Sequence, residues 1–146
     1  MMSTKTISVT ANMNEGWAIR ADIRDHKVTI DQPRASGGTD EGPTPLEFFL
    51  FSLAGCIGSI GRIAAGQQKI NLRSMEIKVE ADLNPKGLMG QSTDDRVGFQ
   101  QVRVEAHIDA DLNDQEKQVF LDQVCERCPL HDNIKWATEV VHQYVD

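Results

Sequence analysis

Along the first 31 residues apolar and polar side chains alternate. Ile7 and Val9 come first, then, beyond Asn12–Gly16, Trp17, Ile19, Ala21 and Ile23, and beyond Asp25-His26, Val28 and Ile30. A period of two with β-branched residues predicts two or three strands joined as hairpins. Residues 32–42, QPRASGGTDEG, are polar and rich in Gly and Pro, and predict a loop. From Pro43 to Gln67 the period changes. Leu46, Phe49, Leu50, Leu53, Ile57, Ile60 and Ile63 recur at spacings of three and four, with Pro43 and Pro45 at the start, where a missing N–H costs nothing. Most intervening positions are small or apolar, which predicts a long helix buried nearly all round. Gly55, Gly58 and Gly61 each cost it about 1 kcal/mol of propensity relative to alanine, so something, a second helix being the natural candidate, is expected to pack closely on the backbone.

The alternation returns at Met75, Ile77, Val79, Ala81 and Leu83, and again at Val102, Val104, Ala106 and Ile108, with charged residues between. Residues 72–84 and 97–110 read as an antiparallel pair with one polar face, joined by a long polar connection over 84–96. Asn113 followed by Glu116 is a capping-box signature that opens a helix running to about Arg127, where Pro129 kinks or ends it. One or two further helical turns fit 130–136, and 138–145 reads as a closing strand in preference to a helix. Hairpin, buried helix, hairpin, helix and strand make an α+β arrangement, in one domain spanning residues 1–146.

Composition narrows the function. A chain of 146 residues with 40% hydrophobic content fills one ordinary core. Its net charge of −7, with 15 scattered Lys and Arg residues, argues against nucleic acid as a partner. No signal-peptide pattern is visible at the N-terminus and no uninterrupted run of about 18 apolar residues occurs, so the expectation is a cytoplasmic protein with no membrane role. Three cysteines are too few and odd for a disulfide framework. In a reducing compartment they are catalytic, redox-sensing or metal-binding, or else small buried hydrophobes.

Cys56 lies near the middle of the predicted buried helix among glycines and alanines, where a packing role and a chemical role are both open. Cys125-Glu-Arg-Cys128-Pro129 is a C-x-x-C motif late in a helix, unlike the helix-start position that lowers a thiol pKa in thioredoxin-like sites. With His131 and Cys56 it also offers a set of zinc ligands, but structural zinc usually pairs two such knuckles and the chain has one; no metal is the expectation.

The segment from Gly42 to Cys56, GPTPLEFFLFSLAGC, resembles the helix of OsmC/Ohr proteins that carries their first cysteine, and Cys128-Pro129 resembles their second motif, 72 residues further on. The resemblance covers essentially the whole chain. It implies an OsmC-like fold and an intertwined homodimer. It also implies a peroxidase: Cys56 attacks an organic hydroperoxide and becomes a sulfenic acid, Cys128 condenses with it to a disulfide, and an external dithiol, for example of lipoyl type, restores the pair, with no bound cofactor. A cation must favour the Cys56 thiolate, and the family uses an arginine held by a glutamate; Arg34 and Arg20 are the candidates. Leu46 stands where that glutamate is expected, and Glu47 follows one residue later, about 100° around the helix. Phe48, Phe49, Phe51 and Leu53 are available as an apolar wall for the substrate. The Leu46 departure leaves a second reading, a divergent redox or small-ligand-binding protein without peroxidase activity.

Overall fold

The computed structural model describes residues 3–146. The chain divides into two compact units, one ending at Phe49 and one spanning Leu50–Asp146.

In the first unit three strands, β1 (Ala11–Met13), β2 (Ile19–Ile23) and β3 (His26–Ile30), form an antiparallel meander in sequence order. Ile19 opposes Ile30 and Ala21 opposes Val28, so the alternating apolar residues share one face. The first strand begins later than its hydrophobic pattern suggests. Ile7 and Val9 lie outside any strand, 80% and 55% exposed, because the ladder begins at the Ala11–Ala21 pair and turns through Gly16 at φ +86°. The loop after β3 contains a single 3-10 turn, Arg34–Ser36, and is organised around Asp31, a carboxylate only 1% exposed. Asp31 accepts hydrogen bonds from the backbone N–H groups of Gln32, Thr39 and Glu41 and from the Thr39 hydroxyl. The chain closes so tightly there that a Cβ on Gly38 would fall 2.1 Å from the Gln32 carbonyl oxygen.

Helix α1 (Pro45–Gln68) starts on a capping box: Thr44 Oγ1 accepts from the Glu47 N–H at 3.2 Å, and Glu47 Oε1 accepts from the Thr44 N–H at 2.8 Å. Its buried residues, Leu53, Ile57, Gly61, Ala64 and Ala65, follow the three-four spacing of one stripe. The expectation of burial nearly all round is corrected: Phe51 is 71% and Ile63 50% exposed, because elements of this chain cover one face only. The close neighbour of its glycines is a strand, not a second helix; Met75 packs at Gly61 and Ile77 at Gly58. An 18-residue window of α1 reaches a mean hydropathy of 1.7, so by length and composition alone the helix could cross a bilayer. The expectation that no uninterrupted apolar run of that length exists still holds, since Gly, Ser and Arg62 interrupt this one, and the helix reaches the threshold on its average hydropathy alone. Its stripe is nevertheless packed in a protein core.

That core belongs to the second unit. Strands β4 (Leu72–Asp82) and β5 (Gln101–Ala110) pair antiparallel, with Met75 opposite Ile108, Ile77 opposite Ala106 and Val79 opposite Val104 on the apolar face. On the other face Arg103 bridges Glu80 and Asp82, and Lys78 pairs with Glu80. Helix α2 (Asp114–Glu126) opens on the expected capping box between Asn113 and Glu116 and buries Phe120 and Val124. Helix α3 (Pro129–Lys135) follows at once. These elements and α1 enclose one cluster of Leu53, Ile57, Ala64, Leu72, Ile108, Phe120, Val124 and Cys128.

The closing strand is contradicted: among the described residues, 137–146 form no regular element. Val140, Val141, Tyr144 and Val145, 75–86% exposed, occur as adjacent pairs, so the segment lacks the strict alternation that would give one strand face to a core.

Candidate active site

Cys56 and Cys128 are brought together by the core. Cys56 is half-buried on α1, one residue before fully buried Ile57, and packs against the cluster of which Cys128 is a 0% exposed member. Their sulfurs lie 2.9 Å apart and both thiols are free, Cys128 donating to Cys56.

Pro129 positions Cys128. A residue before proline is pushed out of the helical region, and Cys128 is accordingly extended, with φ −84° and ψ 115°. That break ends α2 at Glu126, with Arg127 as its cap, while Pro129 occupies the first turn of α3, where its absent N–H is harmless. Cys128 becomes the cap of α3, its sulfur accepting the His131 N–H at 3.4 Å. Burial, and next the hydrogen bond to Cys56, push the Cys128 thiol up to about 11, against a smaller lowering by the His131 N–H. Cys128 therefore holds its proton at neutral pH and serves as a donor to the Cys56 sulfur.

Cys125 lies half-buried on the last turn of α2 and packs against the same cluster. Burial raises its pKa, and Asp122 and Glu126 raise it further. His131 meets Cys128 through its backbone N–H. Among the described residues no three His, Cys, Asp or Glu side chains converge as a metal site.

The other candidates have local partners. Arg20 on β2 pairs with Glu41 at 2.8 Å, and Arg34 opens the 3-10 turn, its carbonyl accepting from Gly37 N–H. The Glu47 carboxylate caps α1, and the Thr44 N–H lowers its pKa. Thr44-x-x-Glu47 is a sequence signature that accounts for Glu47 without any catalytic role, and it was readable beside Pro45. Leu46 is 40% exposed. Phe48 is half-buried, Phe49 and Phe51 are exposed, and Leu53 is a core residue at 1% exposure. Asp31 carries no comparable signal, since its burial depends on loop closure over eight to ten residues.

The family model for OsmC-like proteins matches residues 38–143, well over half of the chain and including all three cysteines. The chain belongs to the OsmC-like family. A relative called hydroperoxide reductase in Mycoplasma genitalium is 26% identical over 132 residues, covering 89% of this chain and 87% of the relative. Among solved OsmC structures, the OsmC-like protein of Mycoplasma pneumoniae superposes with a TM-score of 0.79 at 23% identity, covering 92% of this chain and 91% of that one. The organic hydroperoxide resistance protein OsmC of Legionella pneumophila gives 0.69 at 24% identity, covering 92% of both chains. At these identities the two structures establish the OsmC-like fold.

Proposed function

We propose that the protein is a thiol-dependent peroxidase that reduces organic hydroperoxides. The observation that supports this reading best is the 2.9 Å approach of Cys56 and Cys128, which the fold brings together from α1 and from the break between α2 and α3. Cys56, as thiolate, attacks the distal oxygen of the hydroperoxide; the O–O bond breaks, the alkoxide takes a proton and leaves as an alcohol, and Cys56 becomes a sulfenic acid. Cys128 then forms the S–S bond with Cys56. Its proton and the sulfenic hydroxyl leave as water, and an external dithiol, for example of lipoyl type, reduces the disulfide. Keeping Cys128 protonated until that step suits a resolving thiol, because Cys56 alone then faces the peroxide.

The enzyme acts as a cytoplasmic homodimer in this reading. The exposed Phe51 and Ile63 on α1 and the exposed apolar tail from Val140 to Val145 supply the surface that a second copy would cover. In this reading an arginine favours the Cys56 thiolate, with Arg20 and Arg34 as the candidates, and apolar side chains receive the tail of the peroxide. Leu46 at the position of the family's glutamate, with Glu47 committed to the helix cap, favours a second reading in which the fold binds a small ligand without reducing peroxide.

Incubation with cumene hydroperoxide and a dithiol separates them. Wild type is expected to consume peroxide catalytically, Cys56→Ser to lose that activity, and Cys128→Ser, assayed without dithiol, to stop after a single turnover with Cys56 as sulfenic acid. Equal consumption by Cys56→Ser would overturn the proposal. Sedimentation equilibrium tests the dimer.

A further inference from the structure

Cys128 has two thiol neighbours, and the peroxidase reading uses only one. The second is Cys125. The Cys128 N–H donates to the Cys125 carbonyl at 3.2 Å, closing a turn of the i to i+3 kind at the end of α2. Such a turn holds its end Cα atoms within about 7 Å, and a disulfide accepts Cα separations of about 4.4–6.8 Å. On its other side the Cys128 sulfur is 2.9 Å from that of Cys56. All three cysteines belong to or pack against one apolar cluster. Cys128 thus stands between a thiol that meets it across the core and a thiol one turn back along its own chain.

We propose that Cys125 is a second resolving cysteine, which takes over Cys128 from Cys56 and so stores the oxidising equivalent in the C-x-x-C motif. The proposal rests on the peroxidase reading. Once the Cys56–Cys128 disulfide has formed, the Cys125 thiol loses its proton and attacks the Cys128 sulfur in line with the Cys56–Cys128 bond. The Cys125–Cys128 bond forms, the Cys56–Cys128 bond breaks, and the electron pair leaves on Cys56, as thiolate or, with the released proton, as thiol. No electrons enter or leave in this exchange. The two-electron oxidant is the hydroperoxide consumed in the first step.

Chemistry around Cys125 sets the character of the exchange. Burial together with Asp122 and Glu126 disfavours its thiolate, so attack is slow beside the condensation that precedes it. The same surroundings make Cys125 a poor leaving group, so a bond once moved to it is not readily returned. The relay regenerates Cys56 before any external dithiol arrives and leaves the disulfide on the stretch joining α2 to α3.

Counting equivalents and mapping disulfides test this in the intact protein. Reduced protein is treated with excess cumene hydroperoxide without dithiol, quenched by alkylation at intervals and digested with trypsin. Cleavage at Arg34, Arg62, Lys117, Arg127 and Lys135 puts Cys56, Cys125 and Cys128 on separate peptides, so each linkage has its own mass. Wild type is expected to show the Cys56–Cys128 link first and the Cys125–Cys128 link later, with Cys56 then trapped by dimedone as a sulfenic acid and a second equivalent of peroxide consumed. In C125S consumption is expected to end at one equivalent, with Cys56–Cys128 as the final link. Wild type that stops at one equivalent with Cys56–Cys128 alone would overturn the relay and leave the peroxidase reading intact. Wild type that consumes no peroxide removes both. The wild-type map decides the matter even if C125S fails to fold.

Discussion

The unit ending at Phe49 and the unit beginning at Leu50 are held together by different physics. Among the described residues every buried apolar side chain belongs to the second, while the one buried charged residue, Asp31, belongs to the first. Around Asp31 the loop depends on directional bonds to named N–H groups, each needing its geometry. The core from Leu53 to Cys128 depends on area removed from water, to which many contacts contribute a little. The chemical candidates divide the same way: Arg20 and Glu47 are committed to polar partners in the first unit, and the three cysteines lie in or against the apolar cluster of the second. A thiol suits that cluster as a carboxylate or guanidinium does not, because it packs as a small hydrophobe while keeping its chemistry.

The largest effect is expected where the apolar cluster is emptied. Phe120, 2% exposed, packs from α2 into the core, and Phe120→Ala should cost about 3–5 kcal/mol in urea denaturation. If the two units differ as described, amide exchange should rise across α2, β4 and β5, while the amides around Asp31 keep their protection relative to their own unit. Uniform loss throughout would break the contrast.

Asp31 tests the other side. Asp31→Ala leaves the Gln32, Thr39 and Glu41 N–H groups without their acceptor, and faster exchange confined to residues 32–42 is expected, with the β4–β5 ladder unchanged. Backbone hydrogen bonds from Glu41 and Gln32 hold the Asp31 carboxyl below its ordinary value of 3.8. Because its folded pKa is depressed, its contribution is present above the unfolded value and is lost as pH falls through the folded one. Acid should therefore open the loop in wild type, whereas Asp31→Ala should be indifferent to acid in that segment.

How much of this was legible in the sequence follows the same division. The β4–β5 pair, α1 and the Asn113–Glu116 cap were readable because period and capping are local patterns. Cys56 and Cys128 were paired through a resemblance, and their 2.9 Å approach depends on how α1 and the turn before α3 meet the core, which no local pattern encodes. The Thr44–Glu47 box was readable and explains Glu47 more simply than a role near a thiol. Two readings failed. Burial all round α1 assumes a covering surface that this chain does not give to Phe51, and the closing strand over 138–145 needs an alternation that the adjacent pairs Val140-Val141 and Tyr144-Val145 lack.

A smaller effect is expected at high pH. The Cys128 thiol, raised from 9.0 to about 11, binds its proton more tightly in the folded state than in the unfolded chain. Its contribution to stability is therefore complete below about pH 9 and is lost as pH rises towards about 11. Urea midpoints measured across that window should fall more steeply for wild type than for Cys128→Ala, the difference isolating the thiol from the lysines that titrate nearby. Parallel curves would mean that the core does not hold Cys128 protonated.

The smallest expected effects separate the crowded and open sides of α1. Gly66 has nothing within 4 Å of where a Cβ would stand, so Gly66→Ala should stabilise the helix by about 0.5–1 kcal/mol through the entropy that glycine loses on folding. At Gly61 the same gain meets Met75, whose sulfur would lie 2.8 Å from the new carbon. Methionine can shift, but in a packed core that displacement has its own cost, and the two terms are of similar size. Gly61→Ala should therefore fall near zero or slightly below, and Gly61→Ala combined with Met75→Ala should recover the helix gain relative to Met75→Ala alone. If Gly61→Ala stabilised as much as Gly66→Ala, the close approach of α1 to β4 would not be the constraint that keeps glycine at position 61.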